Sequence, residues 1–358
     1  MIASAMRNLA RHRVSELAEG FTWEQWQIIQ LRELNKYAQT NVVKYGKQYS
    51  QLNAQVEELI RQEWRKGYGV VSSEAARAKR GGWKPKATAA AVGAGTLTVS
   101  ATSDILGVNS ARLDALVRAT TNDLTKAQYA TLRQATDQYR SIIFDAQVYA
   151  ASGAGTYEKA IDMATKDYLK NGIKSIRYRN GAVHTMPDYA SMVIRTSTKR
   201  AGLAAGGQAR DDLDVHTVVI DHRDDACPVC MPWVGQVLVD NVYSSGTEKE
   251  AEELGYPLLS DAMDEGLFHP NCQDTMSTYF PGISAKPRAM TEQEKADGEA
   301  AEEVGQLAKT ADRNEQRYER IAAYSLDEDN AARAEAKARE WAERAEAAAV
   351  AEEQLRTA

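Results

Sequence analysis

The stretch VVIDHRDDACPVCMPWVGQVL, residues 218–238, is where the character of the chain changes. An apolar run from Val215 to Ile220 reads as a buried strand, and the polar cluster that follows turns it sharply into Cys227-Pro228-Val229-Cys230. A second turn of the same kind, Phe268-His269-Pro270-Asn271-Cys272, comes later. The pattern is C-x2-C, then 38 intervening residues, then H-x2-C. Two residues between ligands let both side chains of a tight turn converge on one ion. Four nitrogen and sulfur donors match the tetrahedral preference of zinc. Cys227, Cys230, His269 and Cys272 are therefore the expected ligands of a structural zinc ion, with His222 as the alternative fourth. The competing reading is three reduced cysteines buried as small hydrophobes. His12, His184 and His216 have no ligand companions near them in sequence and read as surface or strand histidines.

Working outward, residues from about Gly172 read as a small α/β module. Lys174–Tyr178 and Ala182–His184 flank Arg179-Asn180-Gly181, a strong hairpin signal. Thr185, Pro187 and Asp188 open an amphipathic helix carrying Tyr189, Met192, Val193, Thr196 and Ala201. Gly202 and Gly206-Gly207 are expected to mark its end and a loop. Upstream, apolar spacing predicts a long helix from Val14 to about Arg80, with Thr22 and Gln25 as a capping box. Another is predicted from Ser110 to Gly153, with Tyr129, Leu132, Tyr139, Ile143, Ala146 and Ala150 on one face. A short helix over Tyr157–Leu169 stops at Asn171-Gly172 in a left-handed turn. Beyond Pro281-Gly282 the chain turns helical and charged again. Thr291 with Glu294, and Ser325 with Glu328, match capping boxes, and the Ala/Glu/Arg-rich end is expected to dock on a partner or stay a solvated single helix.

The expected fold is α+β: a mostly helical chain with a small central module clipped by Cys/His turns and long helical arms at both ends. Its divisions are 1–171, with a basic, low-complexity loop near 77–106, then 172–282, then a helical tail over 283–358. The length of 358 residues suits two or three domains, and the net charge of -6 argues neither for disorder nor for a nucleic-acid protein. One basic stretch stands out. Arg77, Lys79, Arg80, Lys84 and Lys86 lie near Trp64, Tyr68 and Trp83, cations for phosphate beside rings that stack bases. The alternative is a solvated helix end. Ala87–Leu106 approaches the length of a membrane span but is broken by Gly, Ser, Thr and Asp, so no stable span is expected. The first residues do not read as a secretory signal, and the cysteine usage fits synthesis in a reducing cytoplasm.

No catalytic residues are assigned. Nucleobase deaminases need H-x-E well before P-C-x-x-C, whereas here His222 is followed two residues on by Asp224 and the proline lies inside the cysteine pair. Four protein ligands also leave no open position for a reacting water. The glycine pairs lack the Gly-Lys-Ser/Thr of a phosphate loop.

The runs MPDYASMVIRTSTKRAG, VVIDHRDDACPVCMPWVGQVL and FHPNCQDTMSTYFPG together resemble the minor capsid and head morphogenesis proteins of tailed bacteriophages, the Mu F-like and phage minor capsid protein 2 groups. The matching positions are Tyr189, Met192, Arg195 and Thr196, then His222, Cys227, Pro228, Cys230, Trp233 and Gly235, then His269, Pro270, Asn271 and Cys272. The match departs at Gln273-Asp274, where the family has Arg followed by Cys or His. The resemblance implies a low-copy protein of the virion interior, made in the bacterial cytoplasm. It implies portal, major capsid or scaffold protein as partners, and contact with packaged or ejected DNA. A DNA-binding structural protein acting through residues 61–86, and a phage-associated enzyme or toxin, are the alternatives.

Overall fold

The computed structural model describes residues 1–11, 22–85, 102–152, 156–178, 181–223, 227–270, 272–285 and 288–357, with the backbone alone at 102–110, 151 and 356–357. Nine helices and five short strands are present among them: α1 Ile2–Arg11, α2 Trp23–Arg80, α3 Thr102–Ala151, α4 Tyr157–Asn171, β1 Lys174–Arg177, β2 Val183–Thr185, α5 Met186–Leu213, β3 Thr217–Ile220, β4 Val237–Val239, α6 Glu248–Leu254, α7 Leu259–Asp264, β5 Met276–Thr278, α8 Glu292–Tyr324 and α9 Glu328–Thr357. The described residues are 74% helical with two small antiparallel sheets, which is the expected α+β class. Contacts divide it into two compact units. One holds Met1–Asn53, Asp123–Ala190 and Glu303–Gln354; the other holds Ala54–Asn122, Ser191–Glu302 and Leu355–Ala358. The units thus alternate along the chain, whereas the sequence reading divides it linearly.

In the first unit, Trp26, Leu34 and Tyr37 of α2 bury against Tyr139, Ile143 and Ala146 of α3, Leu9 of α1 and Ile161 of α4. The helix begins where the sequence says it should. The Thr22 amide donates to Gln25 Oε1 at 2.9 Å and the Gln25 amide to Thr22 Oγ1 at 3.3 Å, the reciprocal bonds of a capping box. Residues 14–21 of the predicted helix lie outside the described residues. Tyr129 is exposed, against expectation: it sits at the margin of the stripe whose centre is Leu132, Tyr139 and Ile143. Gly172 ends α4 with φ +67° but ψ -164°, outside the left-handed helical region expected there; its amide still closes on Tyr168 O. β1 and β2 pair antiparallel, and the Tyr178 amide donates to Ala182 O at 2.8 Å; Arg179 and Asn180 lie outside the described residues.

The charged tail is not a lone helix. α9 folds back along α8, Ala311, Ala334 and Ala338 are buried, and Gly305 of α8 lies against the Glu352 carboxylate. Small side chains let the two helices approach closely without a large apolar stripe. The cap of α9 is Asp327, whose Oδ1 accepts from the Asn330 amide, and not Ser325. The buried Asp162 decides this by accepting from the Leu326 and Asp327 amides at 2.8 and 3.3 Å, which fixes the chain one residue short of α9.

In the second unit, β3 is the middle strand of a sheet ordered β4-β3-β5, antiparallel throughout. α5 runs unbroken to Leu213, so Gly202, Gly206 and Gly207 lie inside it and do not end it. Their role is close approach. A Cβ on Gly67 of α2 would collide with the Gly202 backbone, and one on Gly207 with the Tyr243 backbone. Below Gly207, Arg210 Nη2 meets Asp240 Oδ2 at 2.7 Å with both side chains buried. The low-complexity segment is described only from Thr102, and its backbone is helical from there, not a loop as far as residue 106.

Candidate metal centre

Pairing of β3 with β5 brings the two turns together. Because the strands are antiparallel, with Ile220 opposite Met276, the chain leaving β3 and the chain entering β5 lie at the same end of the sheet. Asp221 fastens that end: its carboxylate accepts from Thr275 Oγ1 and Ser277 Oγ, both at 2.6 Å. From there the first arm folds into a tight turn in which the Cys230 amide donates to Cys227 O at 2.9 Å. The second arm is bent by Gly266 at φ +109° and Phe268 at φ +58°, and closes when the Cys272 amide donates to His269 O at 3.0 Å. Gly235, at φ +74°, has its amide on Ile220 O and its α-carbon against the Arg288 backbone, which leaves no room for a side chain.

The four expected donors converge. Cys227 Sγ stands 3.1 Å from His269 Nε2, and Cys230 Sγ stands 3.6 Å from Cys272 Sγ. Two overlapping groups result, Cys227/Cys230/His269 and Cys230/Cys272/Asp274, each with its ligand atoms within 4.8 Å of one another. His269 Nδ1 lies 2.9 Å from Pro270 O, so the proton sits on Nδ1 and the Nε2 lone pair faces the cysteines. This is how metal-binding imidazoles are usually held. The donor set therefore fits zinc, which would be gripped by Cys227, Cys230, His269 and Cys272. Its chemistry there would be to cross-link two turns. His222 does not join them; its Nε2 is 3.7 Å from Glu294 Oε1.

Two residues at the centre were not expected. Lys199 of α5 reaches in, with Nζ 3.4 Å from Cys272 Sγ, 3.3 Å from Cys272 O and 4.3 Å from the centre of the Phe268 ring. Burial lowers its pKa, and the nearby Cys272 opposes that shift. Asp274 is buried, and its Oδ2 lies 3.3 Å from Cys272 Sγ. The Cys272 thiol is drawn down to about 6, first by its hydrogen bond with Cys230 and then by the Lys199 ammonium, while that same bond and burial push Cys230 far up. Cys272 cannot stand as a thiolate toward Cys230 and donate a proton to Asp274 at once.

The other singled-out residues lie elsewhere. Tyr189, Met192, Arg195 and Thr196 follow one another along α5 upstream of Lys199, with Thr196 Oγ1 3.8 Å from Met192 Sδ. Pro228 and Pro270 are exposed and Trp233 is half-buried, whereas Asn271 lies outside the described residues. Arg77, Lys79, Arg80 and Lys84 are exposed in and after the last turn of α2, with no ion pair among the described residues; Lys86 lies outside them. Farther up α2, Arg61 is bound to Glu57 and Asp114, Arg65 to Glu58 and Lys66 to Glu63. His216 is no bare surface histidine: it bridges Glu250 at 2.8 Å and Ser245 Oγ at 3.3 Å. Ser245 Oγ lies 2.8 Å from Asp211 Oδ1, and the Ser245 and Gly246 amides are spent on Asp211 and on Asp240 O. The network ties the 240–246 loop to α5 and offers no donors for an oxyanion.

The family comparison matches one model over residues 2–356, and its description is phage minor capsid protein 2. The chain belongs to that family. It is a minor capsid protein of a bacteriophage, a component of the head, and its partners are other capsid components. Comparison with curated proteins and with solved structures gives no match. Among the described residues of this minor capsid protein no helix is long and apolar enough to cross a membrane.

Proposed function

We propose that this minor capsid protein works inside the head as an adaptor to the portal, during procapsid assembly and DNA packaging or ejection. In this reading residues 172–282 act as one module, stiffened by a structural zinc ion on Cys227, Cys230, His269 and Cys272, and the helical arms carry the contacts to portal and shell. The observation that carries it is the match of nearly the whole chain, 2–356, to a minor capsid family. The convergence of four donors from two distant turns supports the zinc clip, since cross-linking a long loop offsets a small core. Cross-linking mass spectrometry on procapsids tests the location. Cross-links from the arms to portal subunits are expected; cross-links confined to the outer surface of the major capsid protein overturn it.

A second reading, contact with packaged DNA, is favoured by four exposed cations, Arg77, Lys79, Arg80 and Lys84, which form no ion pair among the described residues. They also suit the negative end of the α2 dipole, which is the competing explanation. Reversing charge at Lys79, Arg80, Lys84 and Lys86 separates the two. A loss of DNA retention in particles that still incorporate the protein supports DNA contact, and unchanged retention removes it.

A further inference from the structure

A cleft of about 410 Å³ opens in the first unit, where α4 meets α8 and α9. Five cations line it: Lys166 and Lys170 from α4, Arg317 from α8, and Arg333 and Lys337 from α9. None of the five makes an ion pair among the described residues, and Arg317 reaches only Asn314 Oδ1, at 3.5 Å. Asp162 is the one carboxylate in the lining. It is buried, with Oδ1 on the Leu326 amide and Oδ2 on the Asp327 amide and Asn330 Nδ2, so it sets one charge against five.

This arrangement runs against the needs of the helices that carry it. Lys166 and Lys170 are four residues apart on α4, and Arg333 and Lys337 are four apart on α9, so each helix stacks like charges beside the cleft. Such pairs weaken a helix. Elsewhere α9 does the opposite at the same spacing: Glu335 pairs with Arg339 at 2.9 Å, and Glu340 with Arg344 at 2.6 Å. The helix dipole accounts for Lys170, in the last turn of α4. It does not account for Arg333 and Lys337, which stand in the second and third turns of α9, far from its C-terminal end. Tyr318 adds a ring to the wall, its centre 5.3 Å from Arg317 Cζ and 5.7 Å from Lys337 Nζ.

We propose that the cleft between α4, α8 and α9 binds phosphate groups of a nucleic-acid backbone. The planar guanidinium groups of Arg317 and Arg333 match phosphate oxygens two at a time, and the three ammonium groups act as point charges. An aromatic face among the cations is what a strand's bases use in such grooves. A bound polyanion also removes the repulsion within each cation pair. The site is separate from Arg77, Lys79, Arg80 and Lys84, which belong to the other unit, and does not rest on them.

The test uses the full chain and a short fluorescent oligonucleotide, single-stranded and duplex, read by anisotropy. Lys166→Gln/Arg333→Gln/Lys337→Gln neutralises three exposed side chains. It is expected to lose at least about tenfold in affinity for one or both forms, and the slope of log K against log salt is expected to shrink by about 2. Arg333→Gln and Lys337→Gln singly carry the same readout should the triple variant fail to fold. Wild-type affinity and slope in the folded variants overturn the site. Polyglutamate is expected to compete poorly; displacement of the oligonucleotide charge for charge makes an acidic protein segment the ligand and overturns the phosphate reading. Inorganic phosphate that displaces it at an equal concentration of phosphate groups reduces the cleft to a single-ion site and overturns the polymer. Binding abolished by charge reversal at Lys79, Arg80, Lys84 and Lys86, yet untouched by the cleft variants, overturns this proposal and leaves the second reading standing.

Discussion

Removing Arg210 is expected to be among the most damaging single changes to the second unit, and more damaging than removing Arg210 and the charge of its partner together. Arg210 and Asp240 are 2% and 0% exposed at their side chains and meet at 2.7 Å. Asp240 also accepts from the Val242 amide at 3.1 Å and the Tyr243 amide at 2.8 Å. Arg210→Met removes the cation and strands a buried carboxylate on two backbone donors. Breaking such a pair costs about 3–5 kcal/mol, a fifth or more of the total of about 5–15 kcal/mol that holds a typical domain. In Arg210→Met/Asp240→Asn the charge is gone, while the Asn oxygen can still accept from the two amides. The double variant is therefore expected to recover about 1–3 kcal/mol of the loss. Hydrogen-exchange mass spectrometry, read on peptides covering β3, β4 and the 240–246 loop, assigns the change to this unit. Two results would refute the reasoning: a cost below about 1 kcal/mol for Arg210→Met, or a double variant no more stable than the single one.

Asp162→Ala removes the acceptor of the Leu326 and Asp327 amides and of Asn330 Nδ2, and is expected to cost about 1–3 kcal/mol, seen as faster amide exchange over 326–330; unchanged exchange there counts against the anchor. Gly207→Ala is expected to destabilise by about 1–3 kcal/mol because its Cβ would enter the Tyr243 backbone. By contrast Gly69→Ala, a helix position with nothing within 4 Å, is expected to be neutral or stabilising in the same thermal melt. Glu294 is held below its ordinary value of 4.5, chiefly by Arg288 and then by the Thr291 amide. Its contribution is therefore complete above the ordinary value and fades as pH falls through the lower folded value. Thr291 and Glu294 amide shifts followed by NMR should stay constant as pH falls from about 6 through about 4 and move only well below the ordinary value, and Glu294→Gln should abolish that response.

Where the determinants were local, the sequence was legible. Thr22 and Gln25 are three residues apart and make the bonds their spacing implies, as do Thr291 and Glu294. Where a distant residue decides, the same reasoning failed. Ser325 and Glu328 have the spacing of a cap, yet Asp162, from α4, holds the Leu326 and Asp327 amides and makes Asp327 the cap instead. Gly202 and Gly207 are indistinguishable in sequence from helix-ending glycines. Their meaning comes from Gly67 and Tyr243, whose backbones approach within a distance only a missing side chain allows. The tail misled for a related reason: an alanine seam carries little hydrophobic signal, although it buries well against another helix.

The metal centre follows the same division. C-x2-C and H-x2-C are local motifs, and they name their four donors because each turn brings its own pair together. Asp274 lies two residues past the second motif and arrives with it, its Oδ2 3.3 Å from Cys272 Sγ, whereas Lys199, about seventy residues before the motif, is brought to Cys272 only by the fold. Their arrival changes the electrostatics that the motif alone would imply. Three cysteines and a histidine describe a cross-link whose charge is nearly balanced by zinc, whereas a buried carboxylate beside them demands a further cation, and Lys199 is the one present within reach of Cys272. If that balance is what fixes Lys199, then Lys199→Met should weaken zinc retention even though methionine fills much of the same volume, and Lys199→Arg should restore part of it. Equal zinc retention in Lys199→Met and wild type would show that the ammonium is merely packed beside the site and that its charge does nothing for it.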